Sequence, residues 1–417
     1  MPKPILIRSA AELLESILAG NMPADRKMDS YFRMHRNMGV RDRGFVAETV
    51  YGCLRERRLL EHVAAGSFAL DLVAAYLLAH SYSARALEES GFRGNAREMA
   101  ERLRALDKNK LPFVVQGNFP DWLAERLLAQ FSESEALSLA HALNQPAPID
   151  IRVNTLKAER EKVREYLARD GFIFEPTPYS PVGLRRQDRT PLFHTKSFKD
   201  GLFEVQDEGS QLVSMLLEPM RQDMVVDFCA GSGGKTLHLG ALMANRGSVY
   251  AFEISPKRLE KLKPRLKRSG LNNVRTVVIS HERDARVQRL KSKIDRVLVD
   301  VPCSGTGTLR RNPDIKWREI NLPELTEKQK RILAAAAELV KPGGRLVYAT
   351  CSLLHEENDE IVDGFLTTHP EFRILPVGEI LSRRHIPLAA DGPALRLYPH
   401  QQQTDGFYAM ALERNPE

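Results

Sequence analysis

The sequence predicts an α/β protein. A doubly wound, mostly parallel sheet fills the C-terminal half, preceded by a small α+β region and an all-α N-terminal part. Three observations predict this. From about residue 224, strand-like apolar runs alternate with helical ones. No β-rich run occurs before about residue 148. Between the two lies one β-α-β stretch.

The N-terminal elements rest on helical periodicity. RDRGFVAETVYGCLRERRLLEHV (41–63) spaces Phe45, Val46, Val50, Leu54 and Leu59 near three and four residues apart, with charges between. ALDLVAAYLLAHSY (69–82) is a more apolar helix, and FPDWLAERLLAQF (119–131) is another. SESEALSLAHAL opens with Ser132 as N-cap and Glu135 three residues on. A helical bundle with a purely structural role is one reading of this part. In the middle region PIDIRVN reads as a strand, EREKVREYLARDG as a helix closed by Gly171, and FIFEP as a strand. GLFEVQDEGSQLVSMLLEP runs from strand into helix.

The C-terminal alternation is regular. MVVDFCA, SVYAFEIS, VRTVVIS, DRVLVDVP, RLVYATCS and GFYAMALE are strands. KTLHLGALMANRG, SPKRLEKLKPRLKRSG, ELTEKQKRILAAAAELVKPGG and EENDEIVDGFL are helices, the first ending at Gly247. Ligands of such sheets sit outside the carboxyl ends of the strands.

Bulk properties narrow the class. The 417 residues exceed one ordinary domain. A hydrophobic content of 43% with 28% charged residues describes a soluble globular protein. The net charge of +7 fits a polyanionic partner such as nucleic acid, although many basic proteins have none. The N-terminus has no secretory pattern and no run approaches a membrane span, so no membrane partner is expected. The 4 cysteines make neither a disulfide framework nor a zinc spacing. A reduced cytoplasm is the expected setting, with no metal and a monomeric chain.

DFCAGSGGKT (227–236) is glycine-rich, yet it is no phosphate loop. The P-loop pattern needs Gly where Cys229 stands, and the dinucleotide pattern needs Gly where Thr236 stands. Glu253 ends the next strand about twenty residues after the loop, where such sheets carry the acid that binds a ribose diol. His281-Glu282-Arg283-Asp284 follows the third strand. Asp300-Val301-Pro302-Cys303-Ser304 ends the fourth, and Thr350-Cys351-Ser352 a later one.

A ribose acid without a phosphate cradle suits an adenosine group lacking phosphates. S-adenosylmethionine is the commonest such cofactor, and its sulfonium is tolerated beside acids such as Asp300. An unrelated α/β enzyme is the competing reading. The two rim cysteines add a chemistry. C5 of cytosine is not nucleophilic until a thiolate adds to C6; C5 then takes the methyl group, a base removes its proton and the thiolate leaves. An ordinary thiol of pKa about 8.5 is roughly 3% thiolate at pH 7. A lowered pKa is expected at a strand end beside a helix N-terminus in a basic cleft. Cys53 and Cys229 read as small buried hydrophobes.

At these residues the chain resembles the bacterial Sun/Fmu-type RNA (cytosine-5)-methyltransferases, and within them the small-subunit ribosomal RNA branch, RsmB. DFCAGSGGKT, AFEISPKRL, DVPCSGTGTLRRNPDIKW, LVYATCSLLHEEN and TDGFYAMAL carry the resemblance, with IRVNTLK and VQDEGSQL upstream. It covers about residues 113–417, and DRGFVAETVYGCLR extends it loosely into a NusB-like helical domain. The resemblance implies a class I methyltransferase sheet at 211–417, a small RRM-like, RNA-binding subdomain with linker helices at 113–210, and a helical RNA-binding domain at 1–112, shorter than a full NusB-like domain. It implies that Cys351 attacks C6 and that Cys303 assists release. Asp300 is implied near the target base and the methionine part of the cofactor. Cys229, Ala230, Gly231, Ser232, Gly233, Gly234 and Lys235 are implied as the cofactor loop, Lys235 also serving catalysis. Glu253 is implied as the ribose acid, with Arg258 beside the cofactor and Asp284 near the adenine. Gly231 and Ser232 stand where the family usually has Ala-Pro, so a more flexible loop is expected.

Arg310, Arg311, Lys316 and Trp317 follow the Pro-Cys-Ser loop and are expected to touch RNA; a solvated charge run is the plain alternative. KRLEKLKPRLKRSG is expected to be a solvated face. Neutralising about six phosphates would weaken RNA binding roughly a thousandfold between 50 and 200 mM salt. The target cytosine must leave any stack to reach a thiolate. Small-subunit (16S) ribosomal RNA is the implied substrate. A tRNA or DNA cytosine-5 methyltransferase, and an RNA-binding assembly factor with a vestigial pocket, are the alternatives.

Overall fold

Strand-forming residues separate into two sheets. A computed structural model describes residues 3–188, 190–390 and 392–416. In the small sheet, β1 (Ile149–Val153), β2 (Glu175–Pro176), β3 (Gly183–Arg186) and β4 (Phe203–Val205) lie in the order β2-β3-β1-β4, all antiparallel. The predicted strand FIFEP shrinks to Glu175–Pro176. Gly171 takes φ +86°, and Phe172 and Phe174 turn into the core under this sheet rather than pairing.

The large sheet contains β5 (Met224–Asp227), β6 (Ser248–Glu253), β7 (Val274–Val278), β8 (Ile294–Asp300), β9 (Val340–Thr350), β10 (Phe372–Leu375), β11 (Leu395–Leu397) and β12 (Phe407–Arg414). Its order is β10-β12-β9-β8-β5-β6-β7, with β11 also on β12. Pairs from β7 across to β9 are parallel, and β12 runs antiparallel to β9, β10 and β11. The doubly wound α/β reading therefore holds. The edge strands β10 and β11 are too short to carry a readable pattern.

Alternation builds the two layers. Val226, Val297, Val299, Leu346, Tyr348, Tyr408 and Met410 point into one core. Their chain neighbours Val225, Leu298, Val347, Ala349, Ala409 and Ala411 point into the other. A sheet apolar on both faces must be covered on both, which explains the near-continuous hydrophobic strands.

The chain divides into two compact units, Met1–Pro146 with Thr308–Ile320, and Ala147–Gly307 with Asn321–Glu417. The first is helical, with no strand among its described residues. Its long helix Val40–Ala64 buries Val46, Val50, Cys53 and Leu54 in one core. Ser132 caps Glu133–Asn144 by accepting the Glu135 N–H at 3.3 Å. No single helix among the described residues is long and apolar enough to cross a membrane.

Candidate active site

The strand order reverses between β5 and β8, and the crevice at such a switch point is where doubly wound sheets take ligands. The β5 strand leads into the glycine loop. Gly231 and Gly233 take φ of +56° and +86°, conformations that favour glycine. A Cβ on Gly233 would lie 2.1 Å from Leu262 Cδ1, whereas one on Gly231 would meet nothing within 4 Å. Ser232 is braced: Arg265 Nη1 donates to its carbonyl at 2.6 Å and lies 3.3 Å from its hydroxyl. The loop that lacks the usual Ala-Pro thus has an arginine holding it.

Glu253 ties the loop to β6. Its Oε2 accepts the Gly231 N–H at 2.9 Å and its Oε1 the Ser255 N–H at 2.9 Å. Arg258, on the following helix, is mostly exposed and 3.7 Å from the same carboxylate. Cys229 is half-buried, and burial followed by the charges of Asp227, Asp300 and Glu253 pushes its thiol well up. Asp284 caps the short helix Ala285–Gln288. It accepts from the Ser280 N–H and hydroxyl and from the Arg286 N–H, Nε and Nη2, each at 2.9 Å. The Arg286 side chain and these N–H groups hold its carboxyl well below the usual range.

Across the switch point Lys235 Nζ donates to Asp300 Oδ2 at 2.8 Å and lies 5.3 Å from the centre of the Phe407 ring. Burial pulls this ammonium down, but the Asp300 charge and hydrogen bond, with Cys351 beside it, outweigh that and hold it above its ordinary value. Beneath it, Asp227 Oδ2 accepts the Thr236 hydroxyl at 2.6 Å, while its buried Oδ1 has no partner. Burial, against the Thr236 bond and reinforced by the Asp300 charge, pushes this carboxyl up to about 7.

The two rim cysteines meet. Cys303 Sγ and Cys351 Sγ are 3.2 Å apart, well beyond the roughly 2.05 Å of a disulfide, and both are half-buried. The bond to Cys351, burial, and the charges of Cys351, Glu357 and Asp300 push the Cys303 thiol well up. For Cys303 this corrects the expected lowering, because its charged neighbours are acids rather than bases. Cys53 lies far into the helical core, its Sγ directed at the Leu72 carbonyl at 3.7 Å.

The basic run after the Pro-Cys-Ser loop is a further correction. Lys316 is 1% exposed. Its ammonium donates to the carbonyls of Arg55 and Asn118 and to Asn144 Oδ1 at 2.7–2.9 Å. Trp317 Nε1 donates to the Leu54 carbonyl at 2.7 Å, with the Arg57 guanidinium 4.8 Å from its ring. Arg310 is buried and Arg311 half-buried. The helical unit consumes the Lys316 ammonium and the Trp317 indole N–H, so neither group is free for a phosphate. In the helix Pro256–Ser269, Lys257, Lys261, Lys263 and Lys267 are solvated, but Arg265 and Arg268 pair with Glu204.

Sequence reasoning missed Thr236, Arg265 and above all Glu357, which is fully buried among the serines that follow each cysteine. The signal was present: Cys303-Ser304 and Cys351-Ser352 repeat a dipeptide at two strand ends, and LLHEEN follows the second.

Sheet order, glycine loop and rim residues together define a Rossmann-like methyltransferase of the class I type. Comparison with known proteins agrees. The 16S rRNA methyltransferase RsmB/F family matches residues 214–413, and the RsmF/B-like ferredoxin-like domain matches residues 119–192. A Synechocystis sp. protein named probable ribosomal RNA small subunit methyltransferase B is 35% identical over 315 residues, covering 74% of this chain and 70% of the relative. A Bacillus subtilis protein of the same name is 29% identical over 411 residues, 89% and 91% of the two chains. The solved structure of PH0851 superposes with a TM-score of 0.81 at 28% identity over 99% of each chain. The chain belongs to the RsmB/F family of 16S rRNA methyltransferases.

Proposed function

We propose that this protein methylates C5 of a cytosine in small-subunit ribosomal RNA, with S-adenosylmethionine as methyl donor. The observation that carries the reading is the pair of free cysteines, Sγ to Sγ 3.2 Å, beside the Lys235–Asp300 ion pair at the carboxyl rim.

The residues present fit the cofactor. Gly231 faces open space, Glu253 stands at the end of β6, and the buried Asp227 Oδ1 lacks a partner. Residues 229–235, Glu253, Arg258, Asp284 and Asp300 would hold it. Glu253 uses one donor on each oxygen, which leaves lone pairs for a ribose diol. Asp284 already takes five donors, so its service to an adenine would come through relaxation of the Arg286 contact. When bound, the cofactor supplies an electrophilic methyl group on a sulfonium.

The chain's own residues do the rest. Cys351, as thiolate, forms a bond to C6 of the cytosine, and the electron pair of the C5–C6 double bond is freed toward C5. After C5 has accepted the methyl group, its proton goes to a base, the double bond re-forms and the sulfur of Cys351 departs. Cys303, whose thiol keeps its proton at neutral pH, stands next to the departing sulfur and assists that release. Lys235 neutralises Asp300 and fixes it at the rim. The net charge of +7 suits a polyanionic substrate.

Bisulfite sequencing of total RNA from cells with and without the gene tests the reading. One cytosine in 16S ribosomal RNA should lose its protection in the deletion strain and regain it with the wild-type gene. Protection unchanged at every rRNA position would overturn the substrate assignment. A site lost in tRNA instead would move it to that class.

A further inference from the structure

Glu357 takes no part in the chemistry just described, yet its side chain is the best-connected polar group beside the cysteines. It is 0% exposed. Its Oε1 accepts the Ser304 N–H at 2.8 Å and the Gln329 amide at 2.9 Å. Its Oε2 accepts both hydroxyls, of Ser304 and of Ser352. Ser304 directly follows Cys303, and Ser352 directly follows Cys351. The same Gln329 amide donates to the carbonyl of Pro302, the residue before Cys303, at 3.0 Å.

The surroundings make this a built site. Thr306 Oγ1 lies 3.3 Å from each of the two serine hydroxyls and accepts the Leu353 N–H at 2.9 Å. The Tyr348 hydroxyl donates to the Glu357 carbonyl at 2.6 Å, which fixes the backbone of the glutamate. Asn358 Nδ2 donates to the Ser352 carbonyl at 3.0 Å, and Asn358 Oδ1 accepts the Thr350 hydroxyl at 2.6 Å. A buried carboxylate is costly unless its lone pairs are filled. Here four donors fill them, and they come from both cysteine loops and one helix.

We infer that Glu357 is a positioning residue that sets the distance between the Cys303 and Cys351 sulfurs. It acts through Ser304 and Ser352. The inference rests on the proposed use of both cysteines in one catalytic cycle. A carboxylate only accepts, and all four groups donate to it here, the two serine hydroxyls included. An amide in its place removes the charge and one acceptor oxygen, so the two serine hydroxyls lose the charged acceptor they share. The serines then lose their common anchor, and each cysteine moves with its own loop. A misplacement of about 1 Å at a reacting atom costs on the order of 100-fold in rate.

Two readouts test this on the full chain with Glu357→Gln. The first does not involve RNA. Diamide takes two electrons and two protons from a pair of thiols, leaving a disulfide and the corresponding hydrazine. The Cys303–Cys351 disulfide, followed by peptide mapping, should close quickly in the wild type and about 10-fold more slowly in the variant. The second is adduct formation on RNA carrying 5-fluorocytidine, where no C5 proton can leave and the Cys351 adduct persists. Its formation should slow by about 10- to 100-fold, with RNA and cofactor affinities within about 3-fold of wild type. Wild-type rates in both readouts would overturn the inference. A wild-type enzyme that closes the disulfide but forms no adduct would instead overturn the cysteine chemistry, and the inference with it. Should Glu357→Gln not fold, Ser304→Ala and Ser352→Ala each remove one hydroxyl donor and are judged by the same rates.

Discussion

Cys303 Sγ lies 3.2 Å from Cys351 Sγ, the first in the loop after β8 and the second at the end of the adjacent β9. Two thiols at that distance cannot both ionise freely, because the second charge meets the first in a half-buried space. The contact with Cys351, burial and the nearby acid charges push the Cys303 thiol up, so it can hold the proton that the departing sulfur needs. Removing Cys303 should therefore stall the reaction after methyl transfer. Cys303→Ala is expected to accumulate a denaturant-resistant protein–RNA species on denaturing gels, and Cys303→Ala with Cys351→Ala to accumulate none. Activity that survives Cys351→Ala but not Cys303→Ala would exchange the roles of the two residues.

The buried Asp227 gives a pH signature. Its folded pKa is about 7, raised by burial and the Asp300 charge, against roughly 3.9 for a free aspartate. Between those values the folded chain holds a proton that the unfolded chain has lost. Stability attached to this group is then fully present in acid and falls as pH rises from about 4 to 7. The full cost above pH 7 is on the order of 4 kcal/mol. Asp227→Asn keeps an acceptor for the Thr236 hydroxyl and carries no charge. Urea melts from pH 5 to 8 should show the variant gaining on the wild type as pH rises. Parallel curves would mean that Asp227 titrates as an ordinary aspartate.

Much of this site is legible in the sequence. The alternation of MVVD, YAFE and VLVD with helical runs fixed a doubly wound sheet, and the rim rule then placed residues 229–235, Glu253, Asp300, Cys303 and Cys351 on one edge. What escaped is what depends on partners distant in sequence. Nothing local says that Lys316 will find the carbonyls of Arg55 and Asn118, 261 and 198 residues away. Nothing local says that Arg265 will reach back to Ser232 rather than face solvent. A lysine in a basic run is mostly a solvated charge or a phosphate contact, and only the tertiary fold turns it into a buried donor. The Cys-Ser repeat was visible, but its shared acceptor Glu357 had to be seen in place.

Lys316 is accordingly a stability residue. Its ammonium satisfies three oxygen acceptors in the interior of the helical unit, and burial followed by the Arg55 charge holds its pKa well below the ordinary lysine value. Lys316→Met leaves those acceptors without their donor. A loss of about 2–5 kcal/mol in denaturant melts is expected. The salt dependence of RNA affinity, measured where the variant is still folded, should keep the wild-type slope, since no phosphate contact has been removed. A slope smaller by about one would return Lys316 to the RNA interface.

The two left-handed glycines of the loop separate backbone strain from crowding. At Gly231, φ is +56° and an added Cβ enters open space. Gly231→Ala thus incurs only the left-handed conformation, roughly 1–2 kcal/mol. At Gly233, φ is +86° and the same Cβ meets Leu262 Cδ1 at 2.1 Å, in the small core beneath the loop. Gly233→Ala adds an overpacking cost of about 1–3 kcal/mol to the backbone term and must displace Leu262 or the loop itself. Thermal melts of the two variants should rank Gly233→Ala clearly below Gly231→Ala. Cofactor affinity, measured calorimetrically, should show the reverse emphasis for its size: Gly231→Ala, though the milder change for the fold, puts a methyl group into the open side of the loop where the ligand is proposed to lie. A Gly231→Ala protein with wild-type affinity would move the cofactor off that side of the loop.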